Sequence, residues 1–392
     1  MRRFVLGCGA VLISVSTVAC SGSTATHDST LPSAESPEST LKSALSTTQP
    51  RPLNAADGQP GSTTDDVAAL VRAAFAERLP DTEGRFVAAA VVVDVDDGRV
   101  VASERSDGEA QSLIDRQRPS GSTFKLFVDV ALAEAGVLPD DGVLSGRSCR
   151  FPDGVVAPVD ETLAILSIRE ATATSSNCAF GKLARALGPE RLRSTADALG
   201  ITRPLELGTR FGFGGNTTSV RELAEATAAI VRGGDSSSRL RPQTSDVVAV
   251  MTADVVVNGT AAGWALDRHW AISKTGTTAR STNAWFVGAT REYAMSVWLG
   301  NPNDPDDGMI AGAVPGFDEV HGGDIPAAIW HDVMDELHRT SEPEPLRPVV
   351  PDRPVVIVAD PTMDCVGQSD LVQNGPPGPE VPWLDTGGQI TC

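Results

Sequence analysis

The amino-acid sequence predicts an α+β fold in which one sheet is assembled from distant parts of the chain. Strand-like runs stand at both ends of the folded region, and residues 139–265 between them are patterned mainly as helices and loops. Asp65–Leu79 sets Val67, Leu70, Val71, Ala74 and Phe75 on one helical face and stops at Pro80. Val87–Asp94 and Arg99–Ser103 flank Asp96-Asp97-Gly98, a hairpin signal. Phe124, Phe127, Val128, Ala131, Leu132 and Ala135 then make an apolar stripe that ends at Gly136 and predicts a buried helix. Leu163–Thr172, Ala179–Leu187 and Val220–Val231 are the predicted helices of the middle region. Three strand-like runs follow, Trp270–Lys274, Ala284–Thr290 and Tyr293–Leu299, and a helix at Ile325–His338 closes the domain.

With 392 residues, 41% of them hydrophobic, the chain is long enough for a substantial core. Its ends have a different character. Arg2 and Arg3 precede an apolar or small-residue run, Phe4 to Ala19, shorter than the ~20 residues that span a bilayer. Thr17-Val18-Ala19-Cys20-Ser21 resembles a bacterial lipoprotein cleavage site, with Thr17 where Leu is commonest. Residues 1–20 are therefore expected to be an export signal, and Cys20 the lipidated residue; simple cleavage after Ala19 is the alternative. Half of residues 21–64 are Ser, Thr or Pro, the composition of a tether that buries no core. As a flexible coil it would span roughly 35–40 Å. Residues 65–340 are expected to form the domain, and 341–392 an appended Pro-rich, acidic tail.

Charge excludes one class of partner. The formal charge is −19, and residues 301–392 alone carry 17 acidic and 3 basic side chains. An acidic chain without a Lys/Arg cluster does not fit nucleic acid, whose phosphates require cations. The acidic tail fits a solvated, self-repelling surface. Cysteine usage agrees with export. Beyond Cys8 in the signal and Cys20, four cysteines remain, an even number suited to two disulfides. Of three connectivities, proximity favours Cys149–Cys178 and Cys365–Cys392. No CxxC occurs and the five His show no ligand spacing, so neither a metal nor a cofactor is expected.

The chemistry concentrates at Pro119-Ser120-Gly121-Ser122-Thr123-Phe124-Lys125. Ser122 opens the buried helix, and Lys125 follows one turn on, on the same face. A cation in a first helical turn opposes the macrodipole, which favours anions there. A Ser cap with an incidental Lys does not explain that choice, whereas a nucleophile beside a base does. A dipole-depressed Lys125 amine can take the Ser122 hydroxyl proton, and the same helix end can stabilise an oxyanion. Only four of the 32 basic side chains are Lys, and Arg never deprotonates in proteins. Lys42 repeats the spacing with Ser39, but inside the tether. Lys182 reads as a solvated helix residue. Lys274 begins Lys274-Thr275-Gly276-Thr277-Thr278 at a predicted strand end, where Gly276 admits a close backbone and the Lys and Thr groups can bind a carboxylate. Ser175-Ser176-Asn177 precedes a predicted helix and alone would read as an N-cap. Ser281–Asn283 has the same pattern but falls after the Lys-Thr-Gly segment. Gly212-Phe213-Gly214-Gly215 reads as a turn, because it lacks a dinucleotide loop's strand-to-helix context.

Order and spacing join these pieces. Ser122-x-x-Lys125, Ser175-x-Asn177 and Lys274-Thr275-Gly276 form the triplet shared by penicillin-binding proteins and class A β-lactamases. Residues 85–340 resemble the transpeptidase domain of class A penicillin-binding proteins, in particular actinobacterial ones. Arg118-Pro119, Ser175–Phe180, Asn283–Gly288, Val297–Asn301 and Pro326–Trp330 carry the likeness beyond the triplet. Three departures stand out. Residues 21–64 leave too little chain for the glycosyltransferase domain such proteins usually carry, so a separate glycosyltransferase partner is an expectation. The segment between Val101 and Ser122 is short, and Asn283 stands where Asp is more typical.

The resemblance implies a serine β-lactamase/penicillin-binding-protein-like fold, an antiparallel sheet flanked by helices with an inserted, mainly helical subdomain. It implies a D,D-transpeptidase acting on peptidoglycan stem peptides that end in D-Ala-D-Ala, with β-lactams as inhibitors and no cofactor. Ser122 would be acylated, with Lys125 its base and Ser175 relaying protons beside Asn177, which holds the substrate amide. Lys274, Thr275 and Thr277 would grip the carboxylate, with the Ser122 and Thr277 N–H groups as oxyanion hole. Gly276 would let substrate approach. The protein would face the cell wall, tied to the membrane through the Cys20 lipid. The alternatives are a D,D-carboxypeptidase, a β-lactamase and a non-catalytic wall-binding or β-lactam-sensing module. A β-lactamase needs a Glu-x-x-Leu-Asn segment between the last two motifs, and residues 200–225 contain none.

Overall fold

A computed structural model of the chain describes residues 64–358, apart from 109–112, 146–148, 158–163, 236–237, 348 and 350–353, together with 384–385. The expected signal, the tether, Cys20, Cys365 and Cys392 lie outside the described residues. Among the described residues, no helix is long and apolar enough to cross a membrane.

Five strands form the main sheet: β1 (Val87–Asp94), β2 (Val100–Arg105), β3 (Ile272–Thr277), β4 (Asn283–Ala289) and β5 (Tyr293–Gly300). Their order is β2-β1-β5-β4-β3, and every neighbouring pair is antiparallel. The hairpin β1–β2 is thus joined to β3–β5 through the pair β1–β5, where Val87 faces Gly300. Both faces of the sheet are covered, which is why β1 reads as an almost unbroken apolar run. Side chains alternate across it with period two. Ala89, Val91 and Val93 enter the larger core, and Ala88, Ala90 and Val92 the smaller one. Helix α1 (Thr64–Arg78) and the last helix, α8 (Ile325–Leu337), cover the smaller core.

The larger core is built on helices that lie between β2 and β3 in sequence: α2 (Lys125–Glu134), α3 (Ile168–Ala173), α4 (Asn177–Ala198), α5 (Val220–Arg232) and α6 (Thr244–Thr252), while the short α7 (Asp254–Val257) packs into the smaller core. The fold is α+β with a helical insertion. Helix α4 is longer than predicted because it continues through a break at Gly188, with φ of +76°, and Pro189. One prediction fails. Leu163–Thr172 is not one helix: Ala164–Ser167 is a strand paired antiparallel with Gly142–Ser145. Ser167 then starts α3 through a reciprocal cap with Glu170, so the apolar run serves a sheet edge before the helix begins. Ile357 and Val358 add to this small sheet in parallel with Gly142 and Val143 and pair on their other side with Leu384–Asp385.

Candidate active site

Ser122 lies in a 3₁₀ turn, Gly121–Phe124, that runs directly into α2. The turn is pinned from below by Ser120, which is buried and whose hydroxyl donates to the Asn216 carbonyl at 2.8 Å. Gly121 has φ of +53°, and a Cβ there would lie 2.7 Å from the Thr277 carbonyl oxygen and 2.9 Å from its nitrogen. A Cβ on Gly276 would in turn meet Thr123 Cγ2 at 2.6 Å and the Ser120 oxygen at 2.8 Å. The two glycines therefore let the Ser122 turn and β3 touch backbone to backbone. Gly276 accordingly makes room for the protein's own chain.

Strand β3 is an edge strand. Thr277 faces Ala284, and the next N–H, that of Thr278, donates to Asn283 at 3.1 Å. Thr277 is thereby in a non-hydrogen-bonded position of the ladder, and its own N–H points away from β4 toward the Ser122 turn. Ser122 itself is half-buried, so the turn and the strand edge meet at an accessible point.

The other predicted residues converge there. The Lys125 amine is fully buried and donates to the Ser175 carbonyl, to Ser175 Oγ at 3.1 Å and to Asn177 Oδ1 at 2.8 Å. Lys274, equally buried, donates to Ser175 Oγ at 3.0 Å and to the Thr275 carbonyl at 3.1 Å. The Ser175 hydroxyl can accept from both amines and still aim its one proton elsewhere. Burial brings the Lys274 ammonium down to about 8, with Asp129 acting against the shift.

Ser175-Ser176-Asn177 divides its labour. Ser176 is the N-cap of α4, accepting from the Ala179 N–H at 3.2 Å. Ser175, at φ of +55°, is turned so that its carbonyl and hydroxyl both face Lys125. The helix cap and the site motif are interleaved residues of one segment. Cys178, next in sequence, is disulfide-bonded to Cys149 with Cα atoms 5.4 Å apart. That bond ties α4 to a small cluster of Phe151, Ala157 and Phe213. The Gly212–Gly215 segment is a turn and belongs to the site's walls: Cβ atoms on Gly212 and Gly214 would strike Phe180 O and Gly121 O.

Thr275 and Thr277 lie one and three residues beyond Lys274, on the opposite face of β3. Thr275 is nearly buried, its hydroxyl 2.7 Å from that of Thr260. Thr277 accepts from the Gly322 N–H at 3.1 Å and so retains its own proton to donate. Ser281–Asn283 does other work: Ser281 donates to Glu319 at 2.7 Å, and Asn283 accepts from the Trp298 indole at 2.9 Å. Lys182 is a correction, because it is buried on α4 instead of solvated. Sequence reasoning missed Asp129, Thr172, Thr260 and Gly322. Only Asp129 left a signal, an acidic residue inside an apolar helix and four residues after Lys125.

Comparisons with known proteins agree with this geometry. Residues 88–316 match the family described as "Penicillin binding protein transpeptidase domain". The chain belongs to that family. It is 28% identical over 264 residues to penicillin-binding protein 1A of Neisseria lactamica, covering 55% of this chain and 31% of that protein. Its match to penicillin-binding protein 1A of Clostridium botulinum is 24% over 300 residues, 64% and 35% of the two chains. The chain thus spans about a third of the length of these curated relatives. Among solved structures, PonA1 of Mycobacterium tuberculosis in complex with penicillin V superposes with a TM-score of 0.64 at 21% identity, over 74% of this chain and 88% of that one. The TP domain of Burkholderia pseudomallei penicillin-binding protein 3 gives 0.58 at 18%, over 74% and 100%. At these identities the structures speak for the fold.

Proposed function

We propose that the protein is a serine D,D-transpeptidase that acts on D-Ala-D-Ala stem peptides of peptidoglycan through an acyl-enzyme on Ser122, and that penicillins acylate the same hydroxyl. One observation carries the reading: two lysine amines from separate motifs meet on the Ser175 hydroxyl, beside a serine at the start of a buried helix. In the first step Ser122 Oγ attacks the carbonyl of the penultimate D-Ala and its proton passes to Lys125. The Ser122 and Thr277 N–H groups stabilise the oxyanion. Lys125 hands that proton to Ser175 as Ser175 gives its own to the departing nitrogen, the C–N bond breaks and D-Ala leaves. The amine of a second stem peptide then attacks the ester, forming the new amide and returning the proton to Ser122. Asn177 holds the substrate amide. The Lys274 ammonium and the Thr277 hydroxyl attract the carboxylate, while Thr275 acts through Thr260. A β-lactam follows the first step only, because its cleaved nitrogen stays attached.

Export, lipidation at Cys20 and action at the outer face of the membrane complete the reading, with the segment at 21–64 as spacer, residues 341–392 as an acidic tail and a separate glycosyltransferase as source of glycan. The test is intact-mass analysis of the protein with labelled penicillin, wild type against Ser122→Ala. The adduct is expected on wild type alone and should persist for many minutes. Labelling of a folded Ser122→Ala would refute the nucleophile, and turnover at tens per second would make the protein a β-lactamase. Product analysis with a stem-peptide precursor and an acceptor amine separates transpeptidase from carboxypeptidase.

A further inference from the structure

Helix α2 buries nine consecutive residues, Lys125 to Ala133, of which two are ionisable: Lys125 and, one turn on, Asp129. A spacing of four puts both on one face. Asp129 is 0% exposed. The charges acting on it are Lys274 from β3 and Lys125 from its own helix. From α3, Thr172 brings its hydroxyl to 3.1 Å and 3.3 Å from the two carboxyl oxygens. Helix α6, also packed on α2, buries Val247, Val248 and Met251, and its Asp246 is engaged by Arg291. Helix α4 contributes buried Lys182, which is not among the charges acting on Asp129.

The hydrogen bonds accommodate both forms of the carboxyl. Thr172 Oγ lies 2.9 Å from the Ile168 carbonyl, and a hydroxyl has one proton to give. That proton can go to Ile168, the closer partner, leaving Thr172 to accept from Asp129 as the acid, or to Asp129 as a carboxylate. Burial favours the acid and pushes the carboxyl up to about 8, against the Thr172 hydrogen bond and the two lysines. Lys274 is also brought down to about 8 by burial, and the Asp129 charge opposes the loss of its proton.

We propose that Asp129 is a positioning residue that holds a reserve proton for the lysine pair: buried on the face of α2 that carries Lys125, it gives up that proton on the alkaline side, and its carboxylate then keeps Lys274 an ammonium. The argument is one of buried charge. A neutral Lys125 amine, a Lys274 ammonium and an Asp129 carboxylate sum to zero, whereas replacing Asp129 with an amide leaves one uncompensated cation. The inference rests on the acyl-enzyme reading of Ser122, in which Lys274 must be charged and Lys125 must not.

Two measurements test it. The rate of acylation by labelled penicillin is followed from pH 5 to 10 for wild type and Asp129→Asn. Whatever the plateau rate, the alkaline decline should move down by about one pH unit in the variant. A loss of rate at every pH, with both limbs in place, would mean that Asp129 only packs and would overturn the proposal. The second measurement needs no activity. Difference infrared spectra of the Ser122→Ala protein should show a buried carboxylic-acid C=O band at pH 6 that disappears near pH 8 and is missing in Ser122→Ala/Asp129→Asn. No such band at pH 6 would also overturn it. Failure of wild type to be acylated refutes the reading of Ser122, and the infrared band still decides Asp129.

Discussion

The Ser175 carbonyl accepts a hydrogen bond from the Lys125 amine, and Ser175 adopts a left-handed φ of +55° to present it. For a residue with a Cβ that conformation costs about 1–2 kcal/mol, and it is held where α3 ends and α4 begins. The same turn brings the Ser175 hydroxyl under both lysines. Backbone strain at this point is thus coupled to the placement of a proton-carrying group.

Ser175 can therefore be separated into its two parts. Ser175→Ala removes the hydroxyl and keeps the strain, and Ser175→Gly removes both. Both should slow penicillin acylation by on the order of 10²-fold or more, yet Ser175→Gly should be the more stable of the two by about 1 kcal/mol. Urea denaturation read beside acylation rate checks this. Equal stabilities would show that the left-handed turn is not strained.

Lys125 separates charge from proton transfer. Lys125→Arg keeps the charge and approximate reach but cannot become neutral. We expect it to fold normally by circular dichroism and to acylate at least ~100-fold more slowly. Lys274→Arg, where the proposed role is to attract a carboxylate, should lose less. Similar rates for wild type and Lys125→Arg would remove Lys125 as the base.

Gly276 should tolerate no side chain. The missing Cβ would sit 2.6 Å from Thr123 and 2.8 Å from the Ser120 oxygen, so Gly276→Ala must push β3 off the nucleophile turn. A displacement near 1 Å in a reacting geometry costs on the order of 10²-fold. Acylation should fall by that much while the far-ultraviolet circular dichroism is retained. An unimpaired Gly276→Ala would show that strand and turn need not touch.

The Cys149–Cys178 bond spans a sequence separation of 29. Replacing both cysteines with Ser should cost about 3–4 kcal/mol of stability by loop-closure entropy. Acylation should also fall, because the bond anchors Cys178, the residue after Asn177. Non-reduced peptide mapping tests the bond itself, and free thiols at both positions would refute it.

Asp129 gives stability a pH dependence of known sign. Its carboxyl is raised from 3.8 to about 8, so the folded state holds more protons and stability falls as pH rises through that window. Lys274 is lowered from 10.5 to about 8, so its contribution rises again above 8. Urea midpoints should show Asp129→Asn gaining on wild type between pH 5 and 8. A constant difference would contradict the raised carboxyl.

Much of this was legible in the sequence because it is local. Strand runs such as Val87–Asp94 and Tyr293–Leu299 need only side-chain pattern, and Ser122, Lys125, Ser175, Asn177 and Lys274 stand at motif spacing. What was not legible depends on partners far along the chain. Leu163–Thr172 has a helical pattern, and only pairing with Gly142–Ser145 makes its first half a strand. Lys182 looks like a surface residue until the packing of α4 is known. Thr260 and Gly322 have no motif of their own and matter through Thr275 and Thr277. Asp129 was visible as an anomaly, but its meaning required Thr172 and Lys274 in space.

The order of strands also governs when this protein can act. β1 is made early in synthesis, yet its neighbour on one side is β5, more than half the chain away, with Val87 opposite Gly300. Long-range pairing of this kind is entropically late. Lys274 and the Thr277 N–H reach Ser122 only on β3, held in place by β4 and β5. In a growing chain Ser122 is therefore present for a long interval before Lys274 and the Thr277 N–H can reach it. On this ordering the site is assembled late, and Ser122 stands apart from its partner groups until the sheet has closed.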